Sequence, residues 1–237
     1  MKLNRLKVSW SHFVSFLTDK DFRKEYWLFV TKRKHYHQTL HDTALNRYPE
    51  LFEICKNYFK RSKKVSILSF GCSTGEEVAS INQYVPQAFV TGTDISEVCL
   101  KKCNQHFKND RNRFINSLSE EFVKSENFDA IFCLAVFQRP QTVPKKSLKT
   151  ITNYPFDQFN KKIIELDTKL NVDGLLFIDR CDFSFLDTET SARYAILNVA
   201  NNKIIRDRPV FNAANERHDL VTDAYRVFIK KNNPLTN

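Results

Sequence analysis

Val65-Ser66-Ile67-Leu68-Ser69-Phe70-Gly71-Cys72-Ser73-Thr74-Gly75-Glu76-Glu77-Val78 is the stretch whose reading decides the fold. Its first six residues form an apolar, β-prone run that reads as a strand. The run breaks at Gly71 and Gly75 and resumes as an acidic helix start through Glu76 and Glu77. Glycine lets the backbone turn sharply and approach a ligand closely. A strand that turns on glycine into a helix presents backbone N–H groups at the carboxyl end of a sheet, where open α/β sheets bind their ligands. The plain alternative is a strand–turn–helix whose acidic first turn only complements the helix dipole.

The charge at this turn narrows the ligand class. A helix N-terminus attracts anions, but the carboxylates of Glu76 and Glu77 repel phosphate there. The spacing also departs from the dinucleotide pattern G-x-G-x-x-G. A ligand with positive charge and no phosphate fits better, and S-adenosylmethionine, with its sulfonium and ammonium, is such a ligand.

The chain has 237 residues, 21 of them Phe and only four Gly, so two glycines in one turn carry weight. That length suits one α/β domain. The formal net charge of +10 suits an acidic partner such as nucleic acid, or plain solubility. No sustained basic run with interleaved aromatics points to RNA. Six cysteines occur without any C-x-x-C pair, and Lys2, Arg5 and Lys7 interrupt the first apolar residues, so no signal peptide is read. Free thiols in a reducing, cytoplasmic setting are expected. Cys99, Cys103 and His106 share a helix face at i, i+4, i+7, but no partner cluster completes a zinc site. No apolar run is long enough to span a bilayer.

Residues 1–60 read as a helical lid or cap on a core domain of residues 61–237. Phe13, Phe16 and Leu17 fall at i, i+3, i+4 and predict an apolar face that Tyr26, Trp27, Phe29 and Val30 continue. A further helix is expected from Pro49 to Phe59, with Leu51, Phe52, Ile54, Cys55, Tyr58 and Phe59 buried. From Val65 onward strands and helices alternate, the mark of a parallel sheet. Strands are expected at 88–93, 113–116, 128–136 and 174–180, and helices at 98–107 and from about Asp157. Asn201-Asn202 reads as a hairpin turn between strands at 194–199 and 203–207, and 224–230 as a last strand. Asp94 closes the second strand about twenty residues past the glycine turn, where an acidic side chain accepts both ribose hydroxyls of an adenosine.

Several pieces, taken together and in order, resemble the class I S-adenosylmethionine-dependent methyltransferases, and among them the chemotaxis-receptor methyltransferases. GCSTGEEV resembles that family's S-T-G-E-E loop, TGTDIS its T-D-I segment and FDAIFCLAV its F-D-x-I-F-C-R-N-V strand. DGLLFIDRCDFSF resembles its G-L-L-F segment, and Thr43-Ala44-Leu45-Asn46-Arg47 its T-x-F-F-R segment. The resemblance implies a Rossmann-like, mostly parallel seven-stranded sheet with helices on both faces, S-adenosylmethionine as cofactor, and methyl transfer to an unidentified acceptor: a protein carboxylate, a small molecule or RNA. It implies that Arg47 pairs with the cofactor carboxylate, with Thr43 nearby. Phe70, Gly71, Cys72, Ser73 and Gly75 would shape the loop under the methionine moiety, and Glu76 or Glu77 would meet its ammonium or stabilise the loop. Asp94 would hold the ribose, Ile95 the adenine face, Asn116 and Ser117 the adenine edge. Leu134 and Ala135 would line the pocket where the methyl faces its acceptor.

Two departures stand out. The family has an Arg-Asn pair where this chain has Leu134-Ala135, and the interval from Asp94 to Asn116 leaves no room for the receptor-docking β-subdomain. The rival reading from another class is a non-catalytic methyltransferase-like binder of RNA or an acidic protein. Were the acceptor an amine or hydroxyl, His37, His41 or Tyr36 would be the candidate bases.

Overall fold

The computed structural model describes residues 13–38, 42–125, 127–139, 148–205, 209–218 and 223–232. His41 lies outside them. At the centre is a seven-stranded sheet of β1 (Val65–Phe70), β2 (Ala88–Asp94), β3 (Asn112–Asn116), β4 (Phe128–Leu134), β5 (Leu170–Asp179), β6 (Tyr194–Ile196) and β11 (Val227–Lys230), in the order β3-β2-β1-β4-β5-β11-β6. Outside it, β8 (Val210–Phe211) pairs with β9 (Arg217–His218). β3, β2, β1, β4 and β5 run parallel, and β11 lies antiparallel between β5 and β6. From β1 the chain winds outward to β3, then returns to build β4 and β5 on the other side. The reversal between β1 and β4 opens a crevice above their carboxyl ends, the place where doubly wound sheets bind ligands.

Alternation along the central strands gives both faces a core. Val65 and Ile67 of β1, Ala130 and Phe132 of β4, and Leu175 and Phe177 of β5 point to one face. There they meet α2 (Pro49–Tyr58), α3 (Glu76–Tyr84) and α4 (Glu97–His106). Leu68 and Phe70, Ile131 and Cys133, and Leu176 and Ile178 point to the other, under α6 (Phe156–Lys169). This is the period-two projection of strands buried on both sides. Phe132 and Phe177 are register partners on neighbouring strands, and their rings stack 4.1 Å apart at 2°.

Four expectations are corrected. First, the Asn201-Asn202 turn does not join a hairpin: β6 pairs with β11, while β7 (Lys203–Ile205) pairs with β10 (Asp223–Tyr225). Asn202 is buried and works as a clasp. Its side-chain oxygen accepts from the Arg226 and Val227 N–H groups, and its amide donates to the Leu197 and Val227 carbonyls. Second, the expected strand at 224–230 is two strands in two sheets, separated at Arg226. Third, the aromatic stripe near the N-terminus is not buried among the described residues: Leu17 is 60% exposed and Trp27 55%. α1 (Lys20–Thr31) is seated instead by polar contacts, with Glu25 accepting from Ser96 Oγ and Tyr36 Oη. Fourth, Tyr58, expected in the core, is exposed on α2.

Candidate active site

The crevice holds a cavity of about 250 Å³. Its floor comes from the carboxyl ends of β1, β2 and β4, and its roof from residues 35–38 and 42–48, the latter leading into α2. Gly71 and Cys72 leave β1 in a tight turn, each N–H donating to the Thr93 carbonyl at 2.8 and 2.9 Å. Gly71 has φ +77° and Gly75 φ +102°. A Cβ at Gly71 would stand 2.6 Å from Val136, so glycine is required for the turn to sit against the segment after β4. The Ser73 N–H donates to Asp94 Oδ2 at 2.9 Å and the Gly75 N–H to the Cys72 carbonyl at 3.0 Å. These four N–H groups are spent inside the protein, so the turn is no phosphate cradle, in contrast to the free N–H groups expected from sequence.

Asp94 is 8% exposed, and its two oxygens accept from the Ser73 and Ser96 N–H groups, both at 2.9 Å. It therefore ties the β1 and β2 turns together while lining the cavity. Glu76 and Glu77 part company. Glu76 Oε2 accepts from Thr74 Oγ1 at 2.7 Å and braces the loop. Glu77 lines the cavity, accepts from Ser69 Oγ at 2.7 Å, and burial pushes its carboxyl up to about 7, against the pull of that hydrogen bond and of Arg47.

Thr43, Arg47, Phe70, Gly71, Cys72, Asp94, Ile95, Ser117, Leu134 and Ala135 line the cavity. Ser73, Gly75, Glu76 and Asn116 are not among its lining residues and act behind it. Asn116 donates to the Ile95 carbonyl and accepts from the Leu118 N–H at 2.8 Å, holding the turn that carries Ser117. Thr43 and Arg47 do not share a helix, because residues 42–48 form an irregular turn with Asn46 at φ +55°. Arg47 reaches the cavity all the same. Its Nη1 donates to the Asp42 carbonyl at 2.7 Å and its guanidinium lies over the Tyr48 ring.

Sequence reasoning missed Tyr48, Gln38, Gln138 and Arg180, all lining the cavity. Gln38 and Gln138 each donate to the Ala135 carbonyl at 3.2 Å, fixing a residue held at φ +59°. No spacing signals the Gln38 contact, which joins segments about a hundred residues apart, whereas Gln138 reaches back only three residues. Two buried polar atoms of the wall have no protein partner among the described residues: Tyr48 Oη and His37 Nε2. Buried polar atoms are ordinarily satisfied, so each has hydrogen-bonding capacity left for a ligand or a water. The polar groups fit S-adenosylmethionine: an arginine for a carboxylate, a glutamate for an ammonium and an aspartate for a ribose diol.

All six cysteines are free and buried. Among the described residues no His, Cys, Asp and Glu cluster suits a metal, and no helix is long and apolar enough to cross a membrane.

Residues 67–154 match the family described as a methyltransferase domain, a stretch from β1 through the segment after β4. No curated protein matches the chain by sequence. Among solved structures, the plantazolicin methyltransferase BpumL in complex with SAH is similar at 21% identity, over 75% of this chain and 60% of that one, with a TM-score of 0.40. A TehB-like SAM-dependent methyltransferase from Corynebacterium glutamicum is similar at 17% identity, over 76% of this chain and 88% of that one, with a TM-score of 0.42. Coclaurine N-methyltransferase bound to N-methylheliamine and SAH is similar at 16% identity, over 54% of this chain and 34% of that one, with a TM-score of 0.37. The chain thus spans 60% of the length of BpumL.

Proposed function

We propose that this chain is an S-adenosylmethionine-dependent methyltransferase that alkylates an acceptor entering over the carboxyl end of β4. The observation that carries the reading is the cavity at the β1/β4 reversal, lined by Arg47, Glu77 and Asp94, of which Glu77 and Asp94 fall in the stretch that matches a methyltransferase domain. Arg47 pairs with the cofactor carboxylate as a guanidinium fork, with Thr43 beside it. Glu77 takes the ammonium. Phe70, Gly71 and Cys72 support the methionine chain from below, with Ser73, Gly75 and Glu76 bracing the loop. Asp94 takes the ribose hydroxyls, Ile95 the adenine face, and Ser117, positioned by Asn116, its edge. Leu134 and Ala135 form the wall where the methyl group meets the acceptor.

When bound, the cofactor supplies an electrophilic methyl on sulfur. The protein's part is to align the partners and exclude water, since in-line displacement draws most of its acceleration from positioning. That agrees with a site that has no nucleophilic triad. Nearness to the chemotaxis-receptor methyltransferases rests on the quoted motifs, and the basic balance keeps RNA among the acceptor classes beside protein carboxylates and small molecules. A cytoplasmic setting accords with six free thiols.

Calorimetric titration tests the reading. The protein should bind S-adenosylhomocysteine and should not bind NADH. Binding of NADH without S-adenosylhomocysteine would overturn it.

A further inference from the structure

His37 stands apart from the polar groups assigned to the cofactor. It is 6% exposed, and its ring packs edge-on against Phe137 and Tyr154 and tilted against Phe70. Phe137 belongs to the segment after β4, so His37 borders the acceptor side of the cavity that it lines. Its Nδ1 lies 2.8 Å from Tyr154 Oη, the one hydrogen bond of that hydroxyl among the described residues. Its Nε2 has no protein partner among the described residues.

Counting protons assigns the tautomer. If the Tyr154 hydroxyl donates to Nδ1, a single donor is left over, the Nε2–H. If Nδ1–H donates to Tyr154 instead, both the phenolic proton and the Nε2 lone pair are left unsatisfied in a buried site. Each unmet buried group is costly, so the first arrangement is favoured and the ring offers a donor. Arg139, Lys162 and His35 all oppose a positive charge on this ring, as burial does more strongly, which holds its pKa well below the ordinary histidine range. A neutral imidazole whose Nε2 already carries a proton cannot act as a base there.

We propose that His37, locked by Tyr154, receives the methyl acceptor as a hydrogen-bond donor through Nε2–H, and that it selects an acceptor presenting an oxyanion over one presenting an amine. This rests on the methyltransferase reading. The flanking cations favour the same choice, since they attract an anionic oxygen and repel an ammonium. In the transfer, a lone pair of the acceptor oxygen forms the O–C bond as the C–S bond breaks, and the departing pair stays on sulfur. An oxyanion has no proton to lose, so no base is required. His37 is therefore a substrate-positioning donor, and Tyr154 acts through it.

The test is nuclear magnetic resonance of ¹⁵N-histidine-labelled protein saturated with S-adenosylhomocysteine, with benzoate, 4-nitrophenolate and benzylammonium as probes. His37 should be neutral with its proton on Nε2. One or both oxyanions should shift that proton, the pair separating carboxylate from phenolate sources, and benzylammonium should not. The Nδ1–H tautomer, an imidazolium, a stronger response to benzylammonium, or no response to any probe would overturn the proposal. Tyr154→Phe should weaken oxyanion binding about tenfold, the loss expected from one well-formed hydrogen bond, with S-adenosylhomocysteine affinity unchanged. Equal loss of both would make the pair merely structural. Failure of the wild type to bind S-adenosylhomocysteine would overturn the cofactor reading instead, which either tautomer leaves standing.

Discussion

Glu77 carries a pH dependence. Its carboxyl, pushed up to about 7 by burial, is largely protonated in the apo protein at mildly acidic pH. Because the folded pKa is raised, its contribution to stability is fully present below the unfolded carboxylate pKa. That contribution is lost as pH rises through about 7. A cofactor ammonium beside Glu77 favours the ionised form, so binding S-adenosylhomocysteine near pH 6 should release a proton. Calorimetry in buffers of different ionisation enthalpy reads that release, and Glu77→Gln should abolish it. Equal proton release by the variant would remove Glu77 from the ammonium. Asp94 has two tasks, since it also holds the Ser73 and Ser96 N–H groups. Asp94→Ala should therefore cost affinity at least about tenfold and stability about 1–3 kcal/mol. A variant that binds normally would move the ribose elsewhere. Among the described residues, Arg47 is anchored by Asp42 and the Tyr48 face. Arg47→Ala should weaken S-adenosylhomocysteine binding more than Arg47→Lys, which keeps charge but not the planar fork, and both should leave apo thermal stability nearly unchanged. Asp94 and Glu77 were legible as a pair of acidic turns. Tyr48 and Gln38 were not, because no local pattern records which distant segments will roof a crevice.

At the scale of elements, the glycine turn was legible because two of four glycines sit where left-handed backbone is needed. Gly75 adds a packing reason: a Cβ there would come within 2.7 Å of the Phe107 ring. Gly75→Ala should destabilise the protein by about 1–3 kcal/mol, read by denaturant unfolding. A neutral effect would mean that the loop can rearrange without cost. The central strands were legible from continuous apolar runs. The Asn201-Asn202 hairpin misled because an Asn pair is a good turn signal whether its side chains face solvent or the core. Here Asn202 faces the core and clasps β11. The apolar stripe of Phe13, Leu17 and Trp27 has helical spacing yet stays exposed among the described residues, since periodicity reports a face and not what covers it.

At the scale of the molecule, the order β3-β2-β1-β4-β5-β11-β6 places every proposed cofactor contact within reach of one reversal point. Strand–helix alternation predicted a parallel sheet, and the resemblance implied its Rossmann-like form, but the strand order and the antiparallel insertion of β11 depend on long-range pairing that no window of sequence shows. The account stands or falls on what occupies that reversal, so a crystal structure with S-adenosylhomocysteine tests it most directly. The ligand should lie over the carboxyl ends of β1, β2 and β4, with its ribose diol on Asp94, its ammonium beside Glu77 and its carboxylate on Arg47. Density for the ligand at any other place on the protein, or in this crevice with the ribose turned away from Asp94, would contradict it.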